Sequence, residues 1–143
     1  MSNRRRLPHE TPVLRLHVVE EGETRHEHWQ ACVVGRHIQF STEALESYCF
    51  ADWQPVVCDL MLLAAAVEFA DKSCRRPKYA WGRQLELDVP VHDLSRWLAP
   101  AVTVALTSAL DFLTGDRWQI TFRAHLGRTQ VLPARACRRG CVP

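Results

Sequence analysis

Residues 110–123, LDFLTGDRWQITFR, change their hydrophobic period across three turn residues. Before the change, Val102, Ala105, Leu106, Ala109, Leu110 and Leu113 recur at helical spacing. After Thr114-Gly115-Asp116 the pattern alternates: Trp118, Ile120, Phe122 and Ala124 share one strand face, and Gln119, Thr121 and Arg123 the other. A helix that turns this sharply into a half-apolar strand is the signature of a packed unit of helix on sheet. No catalytic motif accompanies it.

The same two periods recur upstream. Residues 13–20 alternate, with Leu14, Leu16 and Val18 on one side and Val13, Arg15, His17 and Val19 on the other. Residues 21–28 read as a polar turn around Gly22, and residues 29–40 as a second, irregular arm of a hairpin, interrupted at Gly35-Arg36. Residues 41–53 fit either a short helix or a crossing loop. Pro55 suits a first helical turn, and residues 56–72 follow as a helix with Leu60, Leu63, Ala64, Val67 and Phe69 facing the core and Asp59, Glu68, Asp71 and Lys72 facing out. In residues 81–91, Leu85, Leu87, Val89 and Val91 oppose Gln84, Glu86, Asp88 and Pro90, the proline marking an edge or a strand end. Trp97 and Leu98 are expected to plug the sheet edge ahead of the helix at 101–113. The order β-β-α-β-α-β gives an α+β fold: a small mixed or antiparallel sheet with two helices on one face. Residues 1–12 form a disordered basic lead-in, 13–126 a single domain, and 127–143 a basic, irregular tail.

Composition narrows the function classes. A length of 143 residues and a net charge of +2 suit one globular domain and give no general attraction to nucleic acid or membrane. The arginines concentrate at the two ends, where solvated tails are the usual reading; binding of a phosphate backbone is the minority one. With no export signal and no spanning apolar run, the cytoplasm is the expected compartment, and the 6 cysteines are expected to be reduced. Cys32 and Cys58 read as small hydrophobes. Cys137 and Cys141 have no second pair at zinc spacing, and His26 and His28, astride Glu27, have no evident third ligand, so no metal is assigned. Glycine-rich phosphate loops, G-x-S-x-G and H-E-x-x-H are all missing. Asp59 and Asp71 suit structural pairing with Arg83 or Arg117. Arg83 suits either clamping an acidic group or pairing with Asp116, and Trp118 reads as a core plug with its indole N–H near the surface. Arg83, Asp116 and Trp118 are the candidate binding residues, and no catalytic residue is assigned.

Three segments taken together, residues 51–77, 81–97 and 106–123, carry a resemblance. Asp59, Ala70-Asp71, Trp81-Gly82-Arg83, Val89-Pro90-Val91, Trp97 and Leu113-Thr114-Gly115-Asp116-Arg117-Trp118 resemble the amino-terminal domain of 7-cyano-7-deazaguanine synthase-like (QueC-like) proteins of Qat-type antiphage systems. In that family the domain precedes a PP-loop ATPase domain, whose S-G-G-x-D-S loop binds ATP and adenylates a carboxylate. This chain has neither that loop nor the family's cysteine-ligated zinc site, so ATP and zinc are expected only of the missing domain and no cofactor of this chain. The resemblance implies a non-catalytic module that contacts a PP-loop ATPase domain or other defence-system proteins, or the product of a truncated or frame-disrupted gene, with an out-of-frame continuation accounting for the tail. The alternatives are a fragment of an ATP-dependent, carboxylate-activating ligase of the queuosine/7-deazaguanine synthase type and, in third place, a small nucleic-acid-binding protein.

Overall fold

A computed structural model describes residues 13–20, 22–24, 26–38, 54–78 and 82–126. Within them the chain runs β1 (Val13–Val19), β2 (Gln30–Val33), α1 (Pro55–Ser73), β3 (Gln84–Val91), α2 (Leu94–Trp97), α3 (Pro100–Thr114) and β4 (Arg117–Ala124). The lead-in, residues 41–53, Trp81 and the tail lie outside the described residues.

The four strands form one sheet in the order β2-β1-β3-β4, and every neighbouring pair is parallel. This corrects the expected mixed or antiparallel α+β sheet: the fold is α/β, and the β1–β2 hairpin does not exist. The physical reason lies in the connection. Gln30 pairs beside Leu16, so the chain leaving Val19 must return only a few residues' length, and the intervening loop reaches that far at about 3.3 Å per residue. Gly22 and Gly35, both with positive φ, turn the chain on either side of β2.

Steps from β2 to β3 and from β3 to β4 both move toward the β4 edge. Right-handed crossovers therefore place α1 and α3 on the same face. That face is the core: Leu16, Val18, Leu85, Leu87, Val89 and Phe122 meet Leu63, Ala66 and Ala70 of α1. Two alanines at the contact let α1 lie close to the sheet. The helix is rotated from its expected setting, since Leu60 and Ala64 face outward while Asp59 is buried. On α3 only Val102, Leu106 and Leu110 pack against the core, whereas Ala105, Ala109 and Leu113 are exposed. Trp97 packs at a tilt against Phe122 of the edge strand β4 with ring centroids 5.2 Å apart, but Leu98 points to solvent. Pro90 sits at the end of an interior strand, so the strand end holds and the sheet edge does not. It is tolerated because the β1–β3 ladder ends at His17↔Asp88, before the position where its N–H would be needed.

Gly115 closes α3 in the left-handed conformation, φ 69°, with its N–H bonded to the Asp111 carbonyl. The carbonyl of Gly115 in turn presses on Gly82, where an added Cβ would come within 2.7 Å of the oxygen. Gly82→Ala is therefore expected to destabilise the fold by about 1–3 kcal/mol, read as a lower urea midpoint with an unchanged m-value.

Candidate functional site

Arg83 enters β3 beside the α3–β4 turn and is 2% exposed. Its Nε and Nη2 donate to the two oxygens of Asp116, at 3.2 and 2.5 Å, and Nη2 also reaches the carboxylate of Asp71. Nη1 donates to the carbonyls of Asp71, at 3.0 Å, and of Cys74. A guanidinium has five N–H donors, and all are engaged here. Asp116 is equally loaded, accepting from the Arg83 backbone N–H at 2.9 Å and from Arg76 at 3.3 Å. The structure thus joins buried Arg83 and Asp116 to the exposed Asp71 in one strut and leaves Arg83 no donor for a ligand. Trp118 stands apart: its indole N–H donates to Thr114 Oγ1 at 2.8 Å and its backbone N–H to Asp111 at 2.8 Å.

Burial pushes the Asp116 carboxyl up, but the hydrogen bonds and charge of Arg83, with help from Arg76, outweigh it and hold the group below its ordinary value of 3.8. The same partner, Asp116 first, raises Arg83 above the ordinary arginine range. Burial pushes the Cys32 thiol up to about 12, which keeps it protonated and in character with its place in the core.

The connections diverge between β1 and β3, and side chains gather at the carboxyl ends of these strands. Asp59, one turn into α1, is aimed at that edge and is 1% exposed. Its Oδ1 lies 2.5 Å from Nδ1 of His92, its two oxygens accept the His92 backbone N–H at 3.1 and 3.0 Å, and Oδ2 accepts the Trp97 indole N–H at 3.0 Å. Asp59 does not pair with Arg83 or Arg117. His92 Nε2 is buried without a hydrogen bond, and the ring packs against His125 with centroids 4.6 Å apart. A carboxylate-held imidazole of this kind can serve as a base or a ligand.

Among the described residues, the second sheet face carries charge instead of helices. Arg15 pairs with Glu86 at 2.8 Å and His17 with Asp88 at 2.7 Å across the β1–β3 ladder. Arg123 of β4 gathers Asp88 at 3.3 Å, Glu23 at 2.9 Å and Glu20 at 3.6 Å, and His125 holds Glu20 at 2.8 Å. The loop after β1 folds over this face and sets the His26 ring edge-on to His17, with centroids 4.6 Å apart. Donor atoms of His17, His26 and Asp88 lie within 4.8 Å of one another. His28, two residues on from His26, is exposed and has φ 73°.

Sequence reasoning missed His17, Glu23, Asp88, His92 and Arg123 as a group. The available signal was the polar side of each strand, which places Arg15 with His17, Glu86 with Asp88, and Arg123 beyond; only the register joins them. Comparison with protein-family models, with curated proteins and with solved structures finds no match to this chain. Among the described residues, no helix is long and apolar enough to cross a membrane.

The depressed Asp116 carboxyl fixes the sign of one pH effect. Its contribution to stability is present above the ordinary 3.8 and is lost as pH falls through the lower folded value. Acid titration of the urea midpoint is expected to drop below about pH 4, and Asp116→Asn, already weakened at neutral pH, is expected to lose that part of the slope.

Proposed function

We propose that the chain is a non-catalytic amino-terminal module of a QueC-like antiphage defence protein, working in the cytoplasm by docking onto a PP-loop ATPase domain. The observation that carries this reading is the outward face of α3. The helix, PAVTVALTSALDFLT, is apolar nearly all round, yet none of its residues is buried. A helix of that composition is ordinarily covered on both sides. The sheet covers Val102, Leu106 and Leu110 only in part, and the opposite stripe, Ala101, Val104, Ala105, Ala109 and Phe112, is open.

Phe112 is 88% exposed and Leu113 76%. Covering two such side chains is worth about 1.5–3 kcal/mol each, enough for a small helical contact to form a specific interface. The residues that carry the family resemblance agree with a scaffold role. Asp59, Asp71, Arg83, Trp97, Asp116 and Trp118 bond to one another or to their own backbone neighbourhood, and hold the helices on the sheet.

Calorimetric titration of the chain with the PP-loop ATPase domain of a QueC-like protein is expected to show saturable binding. Phe112→Asp combined with Leu113→Asp should weaken it at least about tenfold, roughly 1.4 kcal/mol, with circular dichroism unchanged. No binding by the unsubstituted chain, or binding of ATP by the chain alone, would contradict the proposal.

A further inference from the structure

Docking through the outward stripe of α3 leaves the exposed edge of the sheet unused. That edge is β4, a strand of 8 residues in unbroken register with β3 from Gln84↔Arg117 to Val91↔Ala124. It carries no proline, lysine or bulge, the usual devices that blunt an edge against pairing. The opposite edge, β2, has only 4 residues and runs into the turn at Gly35.

The backbone groups of a strand point alternately to its two sides. Arg117 N–H donates to the Arg83 carbonyl at 2.9 Å and His125 N–H to the Val91 carbonyl at 3.0 Å. The odd-numbered residues of β4 therefore face β3, and the even-numbered ones face outward. The first outward N–H, that of Trp118, is taken by the Asp111 carboxylate at 2.8 Å. Ile120, Phe122 and Ala124 follow, and among the described residues their outward N–H and C=O groups have no partner.

These open positions are symmetric about Phe122. An antiparallel copy of β4, related by a two-fold axis there, sets Phe122 against the partner's Phe122 and Ile120 against the partner's Ala124. Each is then a hydrogen-bonded pair that exchanges both N–H···O=C bonds. Every open group is used, and Asp111 stops the pairing at Trp118. Charge selects the same direction. At the end of β4 the polar face holds Glu20, Glu23 and Asp88 against Arg123, and 1 − 3 leaves −2. At its start Arg117 is exposed, with no ion pair among the described residues. Antiparallel pairing carries Arg117 to a position diagonal to the partner's His125, within reach of a long side chain. There it meets the carboxylate of Glu20, which His125 holds at 2.8 Å. Parallel pairing would set like ends together.

We propose that β4 pairs antiparallel with β4 of a second copy of this chain, about a two-fold axis at Phe122, joining the two sheets into one. The contact is isologous, so the two β4 edges close on each other and leave none open for further growth.

The test is sedimentation equilibrium of the full chain over a concentration series, with amide hydrogen exchange on the same samples. A monomer–dimer equilibrium is expected, with the Ile120, Phe122 and Ala124 amides gaining protection as the dimer forms. Ala124→Pro removes an outward N–H that the chain's own sheet does not use, and should weaken dimerisation at least about tenfold. Arg117→Glu should do the same at about 0.05 M salt and less at about 0.5 M. Circular dichroism and the urea midpoint check that both variants remain folded. Phe112→Asp combined with Leu113→Asp should leave the dimer intact, which separates this contact from docking through α3. Three results would each overturn the proposal. One is a monomer at every concentration up to about 1 mM, as expected if a strand of another protein fills the edge. The others are a dimer that Ala124→Pro leaves unchanged and a dimer that the α3 double variant abolishes.

Discussion

Most of this fold depends on one guanidinium. Arg83 stands where three pieces of chain separated in sequence come together: the last turn of α1, the entry to β3, and the turn from α3 into β4. Burying a charged group is costly unless it is paired and its donors are satisfied. Here the cost is offset by Asp116, by Asp71 and by two carbonyls at the end of α1. The turn must also pass close enough for Gly115 to touch Gly82, and a side chain at position 82 would prevent that approach. Geometry and electrostatics thus reinforce each other at one end of the sheet. At the other end Asp59 has a comparable role, tying α1 to His92 and Trp97.

Between these ties the sheet divides its two faces sharply. One is sealed by α1 and α3, and the other is crossed by ion pairs that run from Arg15–Glu86 through His17–Asp88 to Arg123 and the carboxylates of the β1–β2 loop. A parallel sheet commonly carries helices on both faces. Here the step from β1 to β2 is made by a polar loop, and among the described residues the second face carries polar side chains rather than a helix. The largely satisfied network, Arg123 donating to the Val18 carbonyl at 2.5 Å as well as to its acids, takes the place of a second apolar layer.

This division also explains how much could be read beforehand. The elements were legible: α1 from its run of helix formers after Pro55, β3 and β4 from strict alternation, and the αL turn from Thr114-Gly115-Asp116. Strand direction was not. Clean alternation ordinarily signals an antiparallel sheet with one wet face; β3 alternates because Glu86 and Asp88 enter an ionic network, and β4 because Gln119 and Thr121 are exposed while Arg123 joins that network. The orientation of α1 failed for a related reason. Asp59 looks like a surface residue, but its two oxygens are satisfied inside by His92 and Trp97, so the helix turns Leu60 outward instead. For the candidate site, Arg83 and Asp116 were legible as a pair from the W-G-R and T-G-D-R motifs. The His17 cluster was not, since its members lie on two strands and a loop, and only the parallel register brings them together.

The claim that Arg83 and Asp116 act as a strut is tested most directly by a double-mutant cycle on unfolding stability, using Arg83→Gln and Asp116→Asn singly and together. A coupling energy of about 1–3 kcal/mol is expected, with the double variant less damaged than the sum of the two. Additivity within about 0.5 kcal/mol would mean that the two residues do not depend on each other, and would contradict the role given to them here.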